Sequence, residues 1–142
     1  MTNTITLLQR AISDIKIVEL ILKENSEDEV QLDVAAYHVQ QAIEKCMKFN
    51  IQQAGEVFPR THDVYLLVQQ LEHAGLAAPE WIYNNGDTIN SYATKTRYGT
   101  SIVSTRKKIQ ELCELTSKYI EDSKPLLSEE EKGIKPLDLL ED

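Results

Sequence analysis

A chain with only five glycines and four prolines in 142 residues cannot make the frequent tight turns that a sandwich or barrel of short strands requires. The scarcity points to a few long helices. The length suits one ordinary domain. With 42% hydrophobic and 27% charged residues, the chain is too apolar to be disordered, and no long uncharged apolar run marks a membrane span. The formal net charge of -8 opposes non-specific capture of nucleic acid, although a local basic patch on an acidic molecule stays open. The start, MTNTITLLQR, lacks the basic region and sustained apolar core of a secretory signal, so the expected location is cytoplasmic.

Helical spacing of apolar residues sets the organisation. From Ile5 to Lys23 the positions Leu8, Ala11, Ile12, Ile15, Val18 and Leu22 form one face. Each larger side chain contributes about 1.5–3 kcal/mol when buried, but only against another element. After ENSEDE, where Ser26 and Glu29 have the spacing of a capping box, a second helix extends to Gln53, with Gly55 as its stop. Its apolar stripe is Ala35, Val39, Ala42, Cys46 and Phe49, and His38, Gln41, Lys45 and Lys48 line another side. Phe58-Pro59 blocks continuation, and Thr61 or His62 can cap a third helix carrying Val64, Leu67, Val68 and Leu71. Pro79 suits the start of another, and Asn85-Gly86 leaves open one kinked helix or two short ones. A last strong helix runs to about Asp122, with Ile102, Ile109, Leu112, Cys113, Thr116, Tyr119 and Ile120 inward.

Short connections between amphipathic helices favour antiparallel neighbours. The expected fold is all-α, an up-and-down antiparallel bundle of four to five helices over residues 1–122. The remainder, 123–142, carries six acidic and three basic residues and reads as an acidic C-terminal arm, flexible or docked on a partner.

The two cysteines, Cys46 and Cys113, stand in apolar helical stretches and read as buried free thiols. The histidines His38, His62 and His73 show no metal-ligand spacing, and no glycine-rich phosphate loop occurs, so neither metal nor cofactor is expected. Charge is the more informative feature. Between Asp87 and Gln110 five basic residues, Lys95, Arg97, Arg106, Lys107 and Lys108, face one acidic residue. Arg97 beside Tyr98 offers a guanidinium for phosphate and a ring for a base. The competing reading pairs Arg97 with a carboxylate of a neighbouring helix and uses Tyr98 to close the bundle end. Gln41, Lys45, Lys48 and His38 form a second polar surface suited to phosphate or a protein partner, or a solvated face with Glu44 pairing to Lys48. His62-Asp63 resembles half of a catalytic dyad without a placed nucleophile; capping is its simpler role.

The runs AAYHVQQAIEKCMKFNI, THDVYLLVQQL and INSYATKTRYG, in that order, resemble the HEPN domain, over about residues 5 to 122. The resemblance implies a helical bundle similar to the substrate-side domain of kanamycin nucleotidyltransferase, usually dimeric. It also implies a frequent pairing with a small nucleotidyltransferase and membership of prokaryotic toxin-antitoxin or defence systems. The positions it singles out are Gln41, Glu44, Lys45, His62, Asp63, Arg97 and Tyr98. Ribonuclease members carry an Arg followed after four to six residues by His, a cation and an acid/base near a scissile phosphate. Neither Arg10, Arg60, Arg97 nor Arg106 has a His in that window. The branch most resembled reads TRYP, whereas Gly99 follows Tyr98 here, which loosens that helix junction. The expected function is a non-catalytic nucleotide- or partner-binding module, a homodimer working beside a nucleotidyltransferase-like protein. In it Gln41, Lys45, Arg97 and Tyr98 form the site, with His38, Glu44, Lys48, His62 and Asp63 as secondary positions. The alternatives are an atypical ribonuclease toxin and a purely structural dimerisation module.

Overall fold

A computed structural model describes residues 5–24, 28–97 and 105–127, with the backbone alone at 95–97. Six α-helices and no strand occur among them: α1 (Leu7–Lys23), α2 (Glu29–Gln53), α3 (Val64–His73), α4 (Glu80–Asn84), α5 (Gly86–Arg97) and α6 (Arg106–Ser123), then one 3-10 turn, Lys124–Leu126. The all-α bundle expected from periodicity is the fold observed. The count exceeds four to five because Asn85 ends α4 before Gly86 opens α5, resolving the kinked-or-split ambiguity in favour of two helices.

Local chemistry fixes each helix end. Thr6 and Gln9 form a capping box at the start of α1. At α2 the cap is Asp28, whose carboxylate accepts from the amides of Val30 and Gln31. The proposed Ser26–Glu29 box gives way to it, because Glu29 is already the first helical residue; Ser26 itself lies outside the described residues. Gly55 takes φ 83° just past α2, where its amide reaches the Gln52 carbonyl and the Glu56 amide reaches Ile51. This six-to-one and five-to-two pattern satisfies the last carbonyls with a left-handed residue that glycine adopts without strain. At α3 neither Thr61 nor His62 is the cap. Asp63 accepts from the Tyr65 amide at 2.9 Å, and Thr61 Oγ1 accepts from the Asp63 amide at 3.0 Å. Thr105 caps α6; the expected inward Ile102 lies outside the described residues.

One hydrophobic cluster runs through all six helices, from Leu8 and Val18 of α1 through Phe49, Leu71 and Ile82 to Tyr92 and Ile120. The long helix α2 is its axis, packed by α1, α3, α5 and α6. Helix α6 starts beside the end of α1, where the Arg106 guanidinium donates to the Leu22 carbonyl. It finishes beside the end of α2, where Asn50 Nδ2 donates to Ser123 Oγ at 3.0 Å. It therefore runs against α1 and in the direction of α2. Just beyond, Gln53 Nε2 donates to the Leu126 carbonyl at 2.6 Å. No described helix is long and apolar enough to cross a membrane.

Candidate functional site on helix α2

The side of α2 away from its apolar stripe carries two polar assemblies, each built on a buried carboxylate. Asp14 projects from α1 and is 6% exposed. Its Oδ2 accepts from Lys45 Nζ at 2.7 Å, and its Oδ1 lies 2.8 Å from His38 Nδ1. Lys45 and His38 are seven residues apart, two helical turns, so one carboxylate from the neighbouring helix spans both. The Tyr37 and His38 rings stand in a T-shaped arrangement, with centroids 5.5 Å apart.

The second assembly centres on Glu44, 4% exposed. It accepts from Lys48 Nζ at 2.6 Å and Gln40 Nε2 at 2.5 Å, and His62 Nδ1 stands 3.0 Å away. Gln40 in turn accepts from Gln41 Nε2 at 2.8 Å, so the amides continue the polar surface across the helix. Lys48 also lies over the Phe58 ring, 5.4 Å from its centroid, an arrangement in which the ammonium meets the negative face of the ring. Asp63 and His62 divide their work: Asp63 caps α3 and accepts from Asn90 of α5 at 2.9 Å, while His62 turns to Glu44.

The face read either as a phosphate or partner surface or as a solvated one is thus largely cross-linked. The i,i+4 pairing of Glu44 with Lys48 is present, and both lysines have a carboxylate partner. Replacing a buried ion pair by apolar residues of similar volume is often neutral or stabilising, whereas removing one partner costs about 3–5 kcal/mol. Stability alone does not favour two carboxylates here over leucines; the assemblies fix which side chains meet at this surface.

Sequence reasoning missed Asp14, Gln40 and Asn90. The signal for Asp14 was available: it stands three residues after Ala11 and four before Val18, a charged residue on an apolar stripe. Gln40 likewise sits between Ala36 and Ile43, and no local pattern marks Asn90. Arg97 is placed as the last residue of α5, and Tyr98 lies outside the described residues. Of the basic stretch, Arg106 is used at the end of α1, and Lys108 reaches Glu111 at 3.4 Å.

Elsewhere, two shallow grooves of about 270 and 470 Å3 lie between α1 and α6, sharing Glu19 and Ser117, and no residue of the α2 face lines them. Both free thiols are buried. Burial pushes Cys46 up to about 12 and Cys113 up to about 11, the latter helped by the charges of Glu19 and Glu114. No group of three or more His, Cys, Asp or Glu side chains able to hold a metal ion occurs among the described residues.

The model of the HEPN domain family matches residues 6–126, nearly the whole described chain. The protein belongs to the HEPN domain family, as the three runs along its helices implied. No curated protein and no solved structure matches it.

Proposed function

We propose that this HEPN domain is a non-catalytic binding module whose α2 face receives a nucleotide or a partner protein, working as a homodimer beside a nucleotidyltransferase-like protein. The observation that carries this reading is the pair of cross-linked assemblies. Six side chains are fixed in two assemblies built on α2, Asp14 with His38 and Lys45, and Glu44 with Lys48 and His62, at positions where apolar packing would serve the fold as well. Preorganised groups lose less freedom when they engage a ligand. In the nucleotide version Arg97 supplies the phosphate contact, Tyr98 stacks on the base, Lys45 adds charge and Gln41 a hydrogen bond. Because Lys45 already holds Asp14, most of the phosphate energy falls to Arg97.

Calorimetric titration with AMP tests this version. Arg97→Ala should weaken binding about tenfold, the value of one charge-assisted hydrogen bond, with helix content unchanged. Unaltered affinity removes Arg97 from the site, and no heat with any nucleotide leaves the protein-partner version, to be sought by co-purification with the product of a neighbouring reading frame.

One observation favours the ribonuclease alternative. His62, whose side chain is 47% exposed, is oriented through Nδ1 by the buried Glu44, as a general base is oriented by a carboxylate. Cleavage of mixed RNA by the purified chain, abolished by His62→Ala, would decide for it.

A further inference from the structure

The contact between Asp14 and His38 determines which nitrogen of the imidazole is offered to a ligand. An ionised carboxylate only accepts hydrogen bonds. Asp14 receives Lys45 Nζ on Oδ2 and His38 Nδ1 on Oδ1, at 2.7 and 2.8 Å, so the proton of neutral His38 must reside on Nδ1. Its Nε2 is then a lone-pair acceptor, with no hydrogen-bond partner among the described residues. The ring is held at its inner edge by a side chain that is 9% exposed, while its own side chain keeps 24% of its surface open. Lys45, 26% exposed, is tied through its Nζ to the other oxygen of the same carboxylate, so the ammonium and the imidazole share one anchor.

We propose that Asp14 is a positioning residue that turns His38 and Lys45 into a paired acceptor and cation on the α1/α2 seam. The chemistry this pair recognises is a hydroxyl or amino hydrogen close to an anionic group, as a nucleoside monophosphate carries. The ligand contact rests on the nucleotide version of the function above; the tautomer does not. Bracing α1 against α2 through Nδ1 fixes the same tautomer, so positioning is separated from bracing by whether the free Nε2 meets a ligand.

The test is nitrogen NMR of the full chain at about pH 8, where an ordinary imidazole is neutral. His38 should show a protonated Nδ1 and a bare Nε2; protonated Nε2 overturns the proposal. Asp14→Asn keeps an oxygen acceptor and should retain the tautomer, whereas Asp14→Leu should lose it, with circular dichroism reporting that both variants fold. Should Asp14→Leu fail to fold, the wild-type and Asp14→Asn spectra still decide. On titration with AMP the His38 Nε2 resonance should shift, and affinity should fall about threefold in Lys45→Met, less than in Arg97→Ala. Heat of binding without movement of Nε2 overturns the ligand contact and leaves the nucleotide reading standing. Absence of heat overturns the contact, the positioning role of Asp14 and the nucleotide reading together, while the spectrum of the free protein still tells whether Asp14 sets the tautomer.

Discussion

Among single residues, the two thiols respond to pH in a way that the fold dictates. Cys46 lies wholly inside the bundle and touches Ser123 Oγ at 3.5 Å; burial holds its thiol neutral up to about 12, against an ordinary 9.0. Cys113 behaves alike, up to about 11, and burial also raises Tyr119. An acid whose folded value is raised keeps its proton in the native state while the unfolded chain releases it. Stability contributed by the neutral thiols is therefore complete below about pH 9 and declines through the window up to about 11 to 12. The urea midpoint should fall between about pH 8 and about pH 10, and Cys46→Ala should flatten that slope even if it lowers stability overall. A midpoint with the same slope in the variant would show that Cys46 is not the group responsible.

Among elements, the joint between α4 and α5 depends on one residue without a side chain. The Tyr65 ring of α3 occupies the place where a Cβ of Gly86 would stand. The ring is fixed there by its hydroxyl, which donates to Asp87 at 2.8 Å, and by edge contact with Tyr83. The hydrogen bond to Asp87 also keeps the phenol protonated, raising its pKa. Gly86→Ala should destabilise the bundle by about 1–3 kcal/mol through overpacking, measured by urea unfolding. In a Tyr65→Ala background the same change should cost far less, because the obstructing ring is gone. Equal costs in both backgrounds would show that the ring is not the obstacle. At this scale periodicity read well: the inward residues of α3 and the described inward residues of α6 are those spacing selects. Cap identity read less well: Asp28 displaced the Ser26–Glu29 box, and of the residues named for the start of α3 it was Asp63 of the His62-Asp63 pair, not Thr61 or His62, that took the cap. Several polar residues stood within reach of each helix start, and only the path of the incoming chain chose among them.

At the scale of the whole molecule, one continuous core joins α1 and α6 to the small helix α4, where Ile82 is buried and the single tryptophan, Trp81, packs against the same cluster. Shared burial makes unfolding cooperative. Trp81 fluorescence, which reports from α4, and far-ultraviolet circular dichroism, dominated by the long helices, should give coincident denaturant curves. Separate transitions would mean that α4 melts as an independent unit.

The amino-acid sequence by itself determined the helical class, the apolar stripes and the polar side of α2, because these follow from three- and four-residue spacing within one element. It also carried the family, through short runs that lie on α2, at the start of α3 and at the end of α5. Only the tertiary structure decided that Asp14 meets His38 and Lys45, 24 and 31 residues away, and that Glu44 meets His62, 18 residues away. Local periodicity places a carboxylate on a face but carries no record of which helix will lie against it. That choice belongs to the packing of the core, and with it came the pairing of each lysine and histidine on the α2 face.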